Sequence, residues 1–111
     1  VRVLILEDND QKFRVVLRTL LRAVPEVLAV RATCVADALK LLADEKYAAA
    51  VLDWNLPDGT SMAAIKFCSE HSLPFAIFSG QAEEEVIVRW WIRSTEWQRL
   101  GEFIVEARKE Q

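Results

Sequence analysis

Val51-Leu52-Asp53-Trp54-Asn55-Leu56-Pro57-Asp58-Gly59 is an apolar segment that ends abruptly in a carboxylate and then turns. Val3-Leu4-Ile5-Leu6-Glu7-Asp8-Asn9 is built the same way, an apolar strand closing on two acids before a polar turn. In an open parallel α/β sheet, ligands bind outside the carboxyl ends of the strands, near the switch point in strand order. Two such ends side by side would gather Glu7, Asp8 and Asp53 in one crevice. Three like charges at close range repel unless a cation relieves them. Hard oxygen donors of this kind suit Mg²⁺, which takes one or two carboxylates together with water and phosphate oxygens. The acids therefore point to a Mg²⁺ site that handles a phosphoryl group.

Working outward, apolar strands alternate with amphipathic helices, the pattern of βαβ units around a parallel sheet. Val3–Leu6 reads as the first strand. Phe13, Val16, Leu17, Leu20, Leu21 and Val24 recur at helical spacing from about Gln11 to Val24, and Pro25 stops them. Leu28–Ala32 reads as a short edge strand bearing Arg31, and Val35–Asp44 as a helix burying Val35, Ala38, Leu41 and Leu42. The nearly continuous apolar run Ala48–Leu52 suits a central strand covered on both faces. Pro57, Asp58 and Gly59 supply a turn, after which Thr60 or Ser61 is placed to cap a helix carrying Ile65 and Cys68. His71 falls near the end of that helix, where the dipole favours it at an exposed position. Pro74–Phe78 forms the next strand, bringing Ser79 to the same crevice.

Composition fits one domain, residues 1–111: 111 residues, 52% of them hydrophobic and 28% charged. A net charge of -3 argues against a nucleic-acid surface, which needs a basic stripe. No apolar run approaches a membrane span, and the N-terminus lacks the layout of a signal peptide. Cys34 and Cys68 lie far apart without metal-like spacing, so buried reduced thiols and a cytoplasmic location are expected. Val1 in place of a methionine points to a trimmed chain and an output domain outside it.

The ordered set Leu6-Glu7-Asp8-Asn9, Leu52 to Gly59 and Phe78-Ser79-Gly80 resembles the receiver domains of bacterial two-component response regulators. The resemblance implies a doubly wound, flavodoxin-like three-layer α/β sandwich with a central five-stranded parallel sheet. It implies that Asp53 accepts a phosphoryl group from a sensor histidine kinase or phosphotransfer protein. It also implies that Asp8 binds Mg²⁺ directly, that Glu7 orients a metal water, and that Asn55 gives the metal its backbone carbonyl. Ser79 resembles the switch hydroxyl that moves to the new acyl phosphate. Partners would be the kinase and a downstream effector or fused output domain, with a homodimer left open.

The C-terminal third departs from that pattern. Receivers have a fourth helix and then a strand ending in Lys-Pro, and this sequence has no Lys-Pro pair. The segment after Ser79 is shorter than usual, so the fourth helix is expected to be short or missing. Leu73 to Gly80 also resembles an atypical receiver subgroup of alphaproteobacteria in which a loop replaces that helix, although the subgroup retains its lysine. One alignment makes Val86–Ile92 the fifth strand, places Arg93 where the lysine belongs and sets Trp90 at the aromatic switch position. Arg93 would pair with phosphate there, although its planar fork does not replicate a compact ammonium. A rival reading makes Glu83–Arg93 a helix and leaves the last strand missing. The final helix, from about Thr95 to Arg108, places Trp97, Leu100 and Ile104 on one stripe, and Trp90, Trp91 and Trp97 serve either as core or as a partner patch.

Two other functional classes compete with the phosphorylated switch. A pseudo-receiver would keep the fold and bind partners without phosphorylation. A phosphatase of the haloacid dehalogenase type would place its nucleophile in Asp-x-Asp, and Asn55 occupies that second position here.

Overall fold

The computed structural model describes residues 1–80 and 89–109. In chain order the elements are β1 (Arg2–Leu6), α1 (Asp10–Ala23), β2 (Leu28–Ala32), α2 (Val35–Asp44), β3 (Ala49–Leu52), β4 (Asn55–Leu56) and β5 (Gly59–Thr60). There follow α3 (Met62–Glu70), β6 (Phe75–Ser79), β7 (Trp91–Arg93), a 3₁₀ turn (Ser94–Glu96) and α4 (Arg99–Lys109). Five strands form one sheet in the order β2-β1-β3-β6-β7, and every neighbouring pair is parallel. β4 and β5 form a separate antiparallel hairpin.

Alternation along the strands divides the core in two, because successive strand residues point to opposite faces. Val3, Ile5, Val51 and Phe78 face one way and pack with Val16 and Leu20 of α1 and Leu100, Phe103 and Ile104 of α4. Leu4, Leu6, Leu52 and Ile77 face the other and pack with Ala38 and Leu42 of α2 and Ala64, Ile65 and Cys68 of α3. The result is the three-layer, doubly wound α/β sandwich expected from the sequence. All four residues of β3 are buried, as a strand covered on both faces requires. β2 and β7 are the edge strands of this sheet, and Leu28 of β2 is 64% exposed.

Helix ends follow local chemistry. The Asn9 side chain accepts from the Lys12 backbone N–H at 2.9 Å and caps α1. Ser61 stands at the N-cap position of α3 but makes no capping bond, and its buried Oγ has no partner among the described residues. That corrects the expected cap: the Ser61 backbone N–H donates to the Trp54 carbonyl at 2.9 Å, but its side chain makes no capping bond. α3 ends with Ser72 in the left-handed region (φ 53°) and a bond from the Leu73 N–H to the Cys68 carbonyl, a Schellman closure. His71 is exposed at that end, stacked on Phe67 with centroids 4.0 Å apart. Cys68 is buried and Cys34 half-buried, both unpaired, and burial pushes the Cys68 thiol up to about 12.

The last strand is present at Trp91–Arg93, which overturns the reading of Glu83–Arg93 as a helix over its described part, residues 89–93, while residues 83–88 lie outside the described residues. Its described part is shorter than Val86–Ile92: residues 86–88 lie outside the described residues, Arg89 and Trp90 precede the strand, and Trp91–Arg93 pair with Ile77–Ser79. The segment in which a fourth helix was expected to be short or missing, residues 81–88, also lies outside them. α4 starts at Arg99 rather than near Thr95, because a 3₁₀ turn intervenes, with the Arg93 N–H donating to Glu96 Oε1 at 3.4 Å. Trp97 therefore sits outside the helical period and is 37% exposed, whereas Leu100 and Ile104 are fully buried.

A non-glycine residue in the left-handed region costs about 1 kcal/mol. Ser72→Gly should accordingly raise stability by up to about that amount, measured as the urea midpoint at unchanged slope.

Candidate functional site

The register between β1 and β3, Leu6 opposite Leu52, carries both chains to the same edge of the sheet together. Glu7, Asp8 and Asp53 follow immediately, and each offers a carboxylate oxygen within 4.8 Å of the others. Glu7 and Asp53 are buried, and Asp8 is exposed. Ser79, also buried, closes β6 beside them. Asn55, two residues beyond Asp53, is exposed at the start of the β4–β5 hairpin.

Each acid is oriented by a specific contact. The Trp54 N–H donates to Asp53 Oδ1 at 2.8 Å, and the Asp53 N–H donates to the Leu6 carbonyl at 2.9 Å. The Asn9 N–H donates to Glu7 Oε2 at 3.2 Å. Arg31, from the edge strand β2, donates its Nε to the Glu7 carbonyl at 3.0 Å, pairs with Asp10 at 2.9 Å and lies over the Phe13 ring. That side chain fastens the β1–α1 loop to the sheet.

Lys12 enters the cluster from α1. Its Nζ stands 3.4 Å from Asp53 Oδ1 and 3.5 Å from Glu7 Oε1, and lies 6.0 Å from the centre of the Phe78 ring. The sequence reading missed this residue, because helical periodicity places it only in a first turn. A signal was available: a lysine three residues after an N-cap faces the positive end of the helix dipole, an unfavourable place unless acids stand nearby.

Asp58 was read as turn chemistry alone and does more. Its two carboxylate oxygens accept from the Val35 and Ala36 N–H groups at 2.8 and 3.0 Å, capping α2, whose own N-cap residue Cys34 makes no such bond. Those bonds hold the carboxyl below the usual carboxylate range. The hairpin that carries Asn55 is thereby tied to α2, with Gly59 (φ 129°) permitting its turn.

Arg93 and Trp90 are placed differently from the acids. Arg93 lies opposite Ser79 at the end of β7 but is exposed, and among the described residues no ion pair joins it to the three carboxylates. Trp90 is half-buried, edge-on to Phe103 with centroids 5.8 Å apart and with Arg99 over its face. Trp91 points to the opposite face and packs on Trp54, centroids 5.5 Å apart.

Burial, reinforced by the charge of Asp53, raises Glu7 from 4.5 to about 7, against the lowering effects of the Asn9 N–H and Lys12. The donor set thus fits a divalent cation: it is all oxygen, anionic and short of positive charge. Without a cation, the folded chain keeps a proton on Glu7 between about pH 4.5 and 7 that the unfolded chain has lost. Stability should therefore fall as pH rises through that window and stay reduced above it.

No family model matches the sequence, and no curated protein matches it. Solved structures do. A sensor protein from Polaromonas sp. JS666 has a TM-score of 0.82 at 24% identity, over 98% of this chain and 96% of that one. A CheY-like response regulator receiver domain protein from Methanospirillum hungatei JF-1 has a TM-score of 0.77 at 18% identity, over 99% and 98%. The Mn²⁺-bound form of response regulator Rcp1 has a TM-score of 0.76 at 14% identity, over 91% and 89%. The chain has the fold of response regulator receiver domains, with the acidic cluster at the carboxyl edge of its sheet.

Two outcomes are expected at this site. Glu7→Gln should abolish the fall in melting temperature between pH 5 and pH 8 in chelator, and raise the melting temperature at pH 8. Asp58→Ala should lower the melting temperature at neutral pH and speed amide exchange at Val35 and Ala36, with the difference from wild type vanishing in acid as Asp58 protonates.

Proposed function

We propose that this chain is a phosphoacceptor receiver domain, with Asp53 the residue that takes the phosphoryl group. The observation that carries this reading is the convergence of Glu7, Asp8 and Asp53 within 4.8 Å at the ends of two adjacent parallel strands. The donor is a phosphohistidine on a sensor kinase or phosphotransfer protein. The phosphorus–nitrogen bond breaks with its electron pair left on the imidazole, and a phosphorus–oxygen bond forms to the Asp53 carboxylate.

Asp8, Asp53 and the Asn55 carbonyl would hold Mg²⁺, with Glu7 orienting a metal water, and the Mn²⁺-bound relative in fold supports a divalent ion there. When bound, the ion supplies charge neutralisation at the transferring phosphoryl oxygens. The chain's own groups do the rest. Trp54 N–H fixes the Asp53 carboxylate, which is buried at the end of β3. Ser79 offers its hydroxyl to a phosphoryl oxygen from the neighbouring strand end.

A switch follows from differential binding: a phosphoryl group that interacts more favourably with one arrangement of the Ser79 and Trp90 region shifts the population towards it. The readout is a change in affinity for an effector or a fused output domain. The domain works in the cytoplasm without contacting nucleic acid itself; no described helix is long and apolar enough to cross a membrane. The exposed Arg93, in the absence of a strand-end lysine, favours a second reading, a pseudo-receiver that binds partners without phosphorylation.

Intact-mass spectrometry after incubation with acetyl phosphate separates the two. A Mg²⁺-dependent phosphoryl adduct is expected, absent in Asp53→Asn. A folded wild-type chain that takes no adduct would establish the pseudo-receiver instead.

A further inference from the structure

The crevice holds an ammonium although the sequence lacks the strand-end lysine. We propose that Lys12, from the first turn of α1, is the side chain that binds the phosphoryl group on Asp53, in place of any cation from β7. This inference rests on the phosphoacceptor reading above.

Lys12 is directed to this place by the same loop that positions the acids. Asn9 joins the two: its backbone N–H holds Glu7 and its side chain holds the Lys12 backbone N–H. From there the Lys12 side chain spans the ends of three strands, touching Glu7 after β1, Asp53 after β3 and lying over Phe78, the residue before Ser79. It is 32% exposed, so its end retains room to shift as the charge around it changes.

Charge decides the direction of that shift. In the free domain the ammonium lies between Glu7 and Asp53, where it offsets their repulsion. A divalent ion at the acids competes with it, and a phosphoryl group on Asp53 adds new anionic oxygens on the open side. Lys12 then exchanges carboxylate oxygens for phosphoryl oxygens without leaving the crevice. A flexible ammonium suits that exchange better than a planar guanidinium. Arg93, exposed at the end of β7, has its backbone N–H directed to Glu96.

Two opposed ligand responses distinguish this role from a structural one. Tryptophan fluorescence, with Trp54 beside the site, follows Mg²⁺ binding alone and then beryllofluoride binding at saturating Mg²⁺. Lys12→Met should bind Mg²⁺ more tightly than wild type, because a competing cation is gone. It should bind beryllofluoride about tenfold or more weakly, the scale of one charge-assisted contact. Arg93→Ala should match wild type for both, and Lys12→Arg should recover part of the beryllofluoride affinity.

The inference is overturned if Lys12→Met binds beryllofluoride as wild type does, if it weakens both ligands together, or if the loss appears in Arg93→Ala. A wild-type domain that takes neither beryllofluoride nor a phosphoryl adduct would instead remove the phosphoacceptor reading itself, a separate failure.

Discussion

Everything at the site depends on the burial of β3 on both faces. A strand between two helical layers has no place for a charge along its length, so its first charged side chain arrives where the sheet ends. β1 obeys the same constraint over its buried residues Val3–Leu6 and runs in register with β3, so Glu7 and Asp8 reach the same edge. The close approach of three carboxylates is therefore imposed by the core. What local chemistry adds is compensation: the Trp54 and Asn9 N–H groups, the Lys12 ammonium, and a Glu7 whose burial favours its protonated form.

The same burial links the site to the opposite layers. Trp54, next to Asp53, leaves the crevice towards the α2–α3 face and meets Trp91, the first residue of β7. Trp90, one residue earlier, lies on the α1–α4 face against Phe103. A shift of β7 is thus felt by both cores, since strand alternation gives adjacent residues to opposite layers. Asp58 adds a second tie, holding the hairpin after Asp53 against the start of α2.

Much of the fold was legible in the sequence. The bounds of β2 and α2 emerge as expected, because alternation, helical spacing and turn residues all mark them. The acids were legible for the same reason, as charges at the ends of apolar runs. The region from Arg89 to Trp97 was not, because a short run of tryptophan and β-branched residues satisfies helical and strand patterns alike. Pairing with Ile77–Ser79 settles the strand, and the 3₁₀ turn that follows displaces Trp97 from the buried stripe of α4.

By itself the sequence determined the two-sided sheet, its helices and the three acids at its edge, since these follow from periodicity and from the cost of burying charge. Only the tertiary structure decided what neutralises and braces those acids. Lys12 reaches Asp53 across 41 positions, Arg31 reaches Glu7 across 24, and Asp58 reaches Val35 across 23. Each is a polar side chain whose local spacing does not identify its partner, even where, as for Lys12 in the first turn of α1, it signals that acids stand nearby. Coulombic and hydrogen-bonding contacts between distant segments exist only once the apolar pattern has folded and brought those segments together.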